Sequence, residues 1–179
     1  MKFWQKHNEN KEIEAVNILF GPPSKRETEN EMLSLFFSEE GMHIVCGGTT
    51  STIVSKFLGK PLKVSLDYIK DDIPPIAYIE GVDLVTEGII TMKRVNQYAK
   101  DYIGERALCD EWQEKNDGAS LIWRVVENAK TVRLFVGTAE NSAHKHSQGE
   151  ISFDMKMKLI SELLDSLEKM GKQIFVNYF

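Results

Sequence analysis

The sequence predicts an α/β fold: a three-layer, mostly parallel sheet of about five strands with helices on both faces, Rossmann-like in layout. Three observations predict it. Short apolar runs, His43–Cys46, Gly81–Thr86 and Val132–Val136, alternate along the chain with stretches whose apolar residues recur at helical spacing. Each run meets small residues at its end, Gly47-Gly48, Glu87-Gly88 and Gly137-Thr138, before a helix or loop begins. The 179 residues suffice for one domain with a single core, placed at residues 18–179 after a mobile lead-in over 1–17.

The lead-in is rich in charge and amides, with Phe3 and Trp4 as its strong apolar residues. Ala15–Phe20 turns apolar and is stopped by Gly21-Pro22-Pro23. Ser24 and Glu27 stand at capping-box spacing, so a helix is expected from about Lys25 to Ser38, burying Met32, Leu35 and Phe36. His43–Cys46 then forms the first strand. After the Gly47–Ser51 turn, Ile53, Val54, Phe57 and Leu58 line one face of a helix that Gly59 terminates. Leu62–Leu66 alternates as a second strand, whereas Pro74-Pro75 makes the next connection irregular, with a short edge strand at Ile76–Ile79. Gly81–Thr86 is the third strand and Ile90–Tyr102 the helix after it. Gly104–Asn116 reads as a polar surface excursion around Trp112. Asp117 is placed as the N-cap of a helix over Gly118–Ala129 that buries Leu121, Ile122, Val125 and Val126. Val132–Val136 is the fourth strand, and the last helix, about Phe153 to Met170, repeats Leu159, Leu163, Leu167 and Met170. Ile174–Tyr178 closes the sheet.

Composition narrows the function classes. Lys+Arg 22 against Asp+Glu 27 leaves a formal net charge of −5, which argues against nucleic acid or an anionic membrane as the main partner. No apolar run approaches the roughly 18 residues of a membrane span, and Met1–Lys11 is too polar for a signal peptide. Cys46 and Cys109 are too few for a disulfide framework and lack metal-ligand spacing, so the cytoplasm is the expected compartment.

In a parallel sheet ligands bind beyond the carboxyl ends of the strands, near the reversal in strand order. The loops expected there are Gly47–Ser51, Thr86–Gly88 and Gly137–His146. Gly47 and Gly48 let the backbone approach a ligand, and the hydroxyls of Thr49, Thr50 and Ser51 are able to cap the following helix. Free amide N–H groups at such a helix start suit a phosphate or carboxylate. Thr86, Glu87, Gly88 and Thr138 face the same edge, and Asn141 and His144 are polar groups able to fold over a ligand. Glu87 offers a base or a hydroxyl acceptor; its plainer role is a first-turn acid favoured by the helix dipole. Asp83 is an acid in an apolar strand, either functional or held by hydrogen bonds. His144 and His146 share one loop with Glu140 and no second cluster, so no metal is expected. Cys46 has no His near it in sequence to act as base and is read as a core thiol. No Lys follows the glycines at P-loop spacing and GGTTS is not GxGxxG, so no nucleotide cofactor is expected.

Several segments, in order, carry a resemblance: Phe20-Gly-Pro-Pro23, Ile44-Val-Cys-Gly-Gly-Thr-Thr50, Ile73-Pro-Pro-Ile76, Glu80-Gly-Val-Asp-Leu-Val-Thr-Glu-Gly88, Asp117-Gly-Ala-Ser-Leu121, Phe135-Val-Gly137, Asn141-Ser-Ala-His144 and Met170-Gly-Lys. Together they resemble the region that follows the catalytic module in bacterial serine/threonine phosphatases related to stage II sporulation protein E. The resemblance implies an accessory domain, not a phosphatase. Those enzymes hold two metal ions with several aspartates on a β-sandwich, which would have to precede Phe20, where this chain has almost nothing. Asp117-Gly118 mimics one of their metal-binding dipeptides but stands at a helix start.

The function expected is therefore a non-catalytic regulatory domain that binds a small anion and serves a phosphatase module in cis or in trans. Two alternatives stand beside it. One is a docking or homodimerising module, using Phe3, Trp4 and the acidic last helix; the other is a small-molecule enzyme with Asp83 or Glu87 as base.

Overall fold

The computed structural model describes residues 12–65, 76–104, 116–140 and 152–179. Its strands are β1 (Ile13–Phe20), β2 (Met42–Cys46), β3 (Lys63–Val64), β4 (Ala77–Tyr78), β5 (Leu84–Thr86), β6 (Ala129–Val136) and β7 (Gln173–Tyr178). Its α-helices are α1 (Glu29–Ser38), α2 (Gly48–Leu58), α3 (Ile89–Ile103), α4 (Gly118–Asn128) and α5 (Phe153–Lys169). They form one seven-stranded sheet in the order β3-β4-β5-β2-β1-β6-β7. From β5 to β7 every pairing is parallel, and β3 and β4 add an antiparallel margin. The mostly parallel α/β expectation is met.

The central strand is the one that the sequence did not announce as a strand. Ala15–Phe20 is buried throughout because β1 lies between β2 and β6 with a layer of helices on either face. A strand covered on both sides has no polar face, so it reads as an apolar run without alternation. Its alternate residues nevertheless serve different layers. Val16, Ile18 and Phe20 pack with α3, α4 and α5, whereas Leu19 packs with α1 and α2. Asn17 is buried in the middle of β1, donating to Glu40 O at 3.2 Å and accepting from Arg133 Nη1 at 3.4 Å. β1 starts at Ile13, within the stretch that the sequence assigned to a lead-in.

Three local expectations are corrected. The Ser24/Glu27 capping box does not form: Ser24 N donates to Phe179 O at 3.2 Å, and a 3-10 turn over Arg26–Thr28 leads into α1 with no side-chain cap. Leu35 is exposed while Leu33 joins Met32 and Phe36 in the core, and Phe57 is exposed on α2. The strand expected at Gly81–Thr86 is shorter, starting at Leu84, because Val82 N turns back to Ile79 O and Asp83 pairs with His43. By contrast Asp117 caps α4 as expected, its Oδ1 accepting from Ser120 N at 2.8 Å, and Leu121, Ile122, Val125 and Val126 are buried. Phe3, Trp4, Pro74, Pro75, Cys109 and Trp112 lie outside the described residues. Among the described residues no helix is long and apolar enough to cross a membrane.

Candidate functional site at the carboxyl edge of the sheet

β2 and β5 are parallel neighbours in register, Cys46 opposite Thr86, so the turns that follow them leave the sheet side by side. Gly47 N donates to Thr86 O at 3.0 Å, tying one turn to the other. The backbones then touch: a Cβ at Gly88 would stand 3.2 Å from Gly47 Cα. Gly47 has φ +116°, open to glycine and strained for any other residue. The structure thus brings Gly47, Gly48, Thr49, Thr50, Ser51, Thr86, Glu87 and Gly88 to one edge.

The hydroxyls at the start of α2 do not cap it. Ser51 Oγ donates to Gly47 O at 2.6 Å and Thr52 Oγ1 to Gly48 O at 3.0 Å, both turned back along the helix, while Thr50 is buried beneath Gly47. The N-cap is Gly47, and no side-chain cap hydrogen bond forms at the positively polarised start of α2, although the Glu87 carboxylate is near enough for its charge to act on Cys46 just before it. At α3 the opposite holds. Glu87 Oε2 accepts from Ile90 N at 3.2 Å and Thr91 N at 3.3 Å, so this carboxylate occupies the helix start. Glu87 therefore takes the capping role named as its plainer alternative.

Asp83 stands elsewhere. It precedes β5, and its Oδ2 accepts from His43 N at 2.7 Å while its own N–H donates to His43 O at 2.9 Å. These bonds fasten it to the opening of β2, toward the amino end of the strands and away from Gly47 and Gly88. Cys46 ends β2 fully buried, with Thr86 Oγ1 3.5 Å from its sulfur. Burial pushes its thiol up to about 12, the Thr86 hydrogen bond opposing and the Glu87 charge adding, so it is a core thiol and no nucleophile.

Strand order reverses between β1 and β6, and the protein's own groups fill that crevice. Gly137 N donates to Phe20 O at 3.0 Å and Ala139 N to Pro22 O at 3.2 Å. Thr138 gives both its N–H (2.7 Å) and its hydroxyl (2.5 Å) to Phe179 O. Gly137 packs on the Pro22 carbonyl with no room for a side chain.

One residue here escaped the sequence reading. Lys156, in the first turn of α5, reaches back to donate its ammonium to Gly137 O and lies 5.0 Å from the centroid of the Phe20 ring. Phe20 Cε2 in turn would be 3.9 Å from a Cβ at Gly88, so this ring separates the Lys156 charge from the glycine pair. Burial pushes the ammonium down to about 8. Among the described residues no carboxylate forms a salt bridge with it. Nothing local flags it, since a lysine in a helix reads as solvated.

Asn141 and His144 lie outside the described residues. Among the described residues no three His, Cys, Asp or Glu side chains cluster to hold a metal. A hollow of about 630 Å³ opens at the amino edge, bordered by Glu12, Glu127, Lys130 and Lys172. There Lys172 Nζ donates to Glu127 O and Ala129 O, closing the carboxyl end of α4. None of the candidate ligand-binding residues named from the sequence borders it, whereas Met170, Gly171 and Lys172 of the last matching segment do. Comparisons with protein-family models, with curated proteins and with solved structures find no match to this chain.

Proposed function

We propose that this chain is a non-catalytic regulatory domain that binds a small anion, phosphate or carboxylate, at the carboxyl edge of its sheet. It serves a phosphatase catalytic module of the stage II sporulation protein E type, in the same chain or as a separate partner, in the cytoplasm. The observation that carries the anion reading is the contact between Gly47 and Gly88 beside a helix start without a side-chain cap. Main-chain N–H groups at the opening of α2, unshielded by side chains at Gly47 and Gly48, suit an anion's oxygens. Lys156, on the far side of Phe20, adds positive charge to the same edge. The phosphatase link rests on the order of the matching segments in the sequence. An enzyme using Asp83 or Glu87 as base draws less from the geometry, because backbone N–H groups occupy both carboxylates.

The test is thermal-shift and titration calorimetry with inorganic phosphate, sugar phosphates, nucleotides and small carboxylates. A ligand present at about 100 times its Kd raises stability by roughly 2.7 kcal/mol. Gly48→Val is the matched variant, because a Cβ at Gly48 meets nothing within 4 Å and its φ is not left-handed. It keeps the fold and crowds the approach. Stabilisation of the wild type that weakens in Gly48→Val supports the reading; no stabilisation by any anion on the panel refutes it.

A further inference from the structure

We propose that the hollow at the amino edge of the sheet binds a small zwitterion of the α-amino acid class, its ammonium facing Glu127 and its carboxylate facing Lys172. The site lies at the opposite edge from Gly47 and Gly48, so it stands or falls apart from the anion reading. β1, β6 and β7, neighbours in the sheet, start around the hollow, and α4 and α5 end there. Its volume of about 630 Å³ is within the roughly 300–1,000 Å³ of ordinary small-molecule sites. Two acids and two lysines border it, Glu12 and Glu127 against Lys130 and Lys172, so these charges balance and draw neither a simple anion nor a simple cation.

The four charges are not alike. Lys130 Nζ meets Glu12 Oε2 at 3.1 Å and Glu14 Oε1 at 2.8 Å, so these groups satisfy one another at the rim. Among the described residues Glu127 and Lys172 form no salt bridge, with each other or with a third group. Burial pushes the Glu127 carboxyl up and the Lys172 ammonium down, and the attraction between the two only opposes that cause. Each is thus a half-buried charge whose compensation is incomplete, and the two, opposite in sign, border one hollow. Lys172 Nζ gives hydrogen bonds to Glu127 O and Ala129 O, which leaves one of its three N–H groups for a carboxylate. Gln173, also at the border, accepts from Thr131 Oγ1 at 3.2 Å through Oε1 and keeps its amide N–H groups as further donors. The carboxyl ends of α4 and α5 are the negative ends of their dipoles, which favours an ammonium beside Glu127. A molecule carrying ammonium and carboxylate on one carbon answers both residues, whereas an amine or an acid answers one and leaves the other charge uncompensated. Met170, partly buried at the border, offers apolar surface to the side chain of such a molecule.

Titration calorimetry of the full chain with the common α-amino acids tests this, the amine and the carboxylic acid that bear the same side chain serving as controls. At least one amino acid is expected to bind with a Kd below about 1 mM. Its matching amine and acid, each lacking one hydrogen-bonded charge, are expected to bind about tenfold more weakly or worse. Glu127→Gln, a change of nearly equal size at a half-buried position, is expected to weaken the amino acid by a similar factor. Far-UV circular dichroism checks that the variant folds. A panel with no Kd under about 1 mM overturns the proposal. So does an amine or an acid that binds as tightly as the amino acid, and so does a folded Glu127→Gln with unchanged affinity. Should the variant unfold, backbone amide shifts of the wild type during titration decide. Perturbation centred on residues 128–130 and 171–173 supports the site, and perturbation centred on Gly47 and Gly48, or anywhere else, overturns it.

Discussion

Burial holds Lys156 in a charge state that its surroundings resist. With the folded ammonium near 8 and the ordinary lysine value at 10.5, the unfolded chain binds the proton more tightly. Between those two pH values the unfolded state carries more protons, so this residue makes stability rise with pH across that window. Lys156→Met removes the contribution. In urea melts at a series of pH values, the variant's stability relative to wild type should be highest at neutral pH and fall as pH climbs from about 8 toward 10.5. A difference that stays flat with pH would show that the ammonium is not penalised by the fold. Cys46 gives the complementary prediction: with its thiol buried and pushed up to about 12, iodoacetamide should leave Cys46 unlabelled in the native protein and modify it only on unfolding, peptide mapping separating it from Cys109. Cys46 was read from the chain as a core thiol, and it is buried at the end of β2. The position of Lys156 was not legible in the chain, because what desolvates it, the Phe20 ring and the Gly137 carbonyl, comes from two other elements.

At the scale of elements, caps separate what spacing alone fixes from what context overrides. Asp117 precedes an apolar helical run and accepts from Ser120 N, so Asp117→Ala should lower the unfolding free energy by about 1 kcal/mol. Ser24 has equally good spacing to Glu27, yet the N–H of Ser24 is drawn to Phe179 O and no side chain caps the turn that follows. Ser24→Ala should therefore change stability by less than about 0.5 kcal/mol. Equal urea midpoints for the two variants would contradict this assignment of caps. The difference lies in long-range demand: the chain entering α1 is tied first to the end of the sheet through Ser24 N and Phe179 O, whereas Asp117 Oδ1 accepts from the first turn of its own helix. Glu87 follows the same logic. Its place before a helix was readable, but that its carboxylate turns onto Ile90 N and Thr91 N was settled by the course of α3.

For the whole molecule, stability centres on β1, which has a strand on each side and helices over both faces. Ile18 is 1% exposed there, and Ile18→Ala should cost about 2–5 kcal/mol in urea unfolding. Native-state amide exchange should be slowest in β1 and its neighbours β2 and β6, and fastest in β3 and β4, which are two residues each. Exchange as fast in β1 as in β4 would show that the core is organised elsewhere.

The alternation of apolar runs with helical stretches, and the glycine turns after β2 and β5, determined the α/β class and which loops would share an edge. Those features depend on local periodicity and turn chemistry, which neighbouring residues dictate. Tertiary structure alone decided that Ala15–Phe20 is the central strand, that Asp83 is fastened to the start of β2, and that Lys156 lies over Phe20. Each is set by partners 20 or more residues away in the chain, and no local spacing records which distant segment will lie alongside.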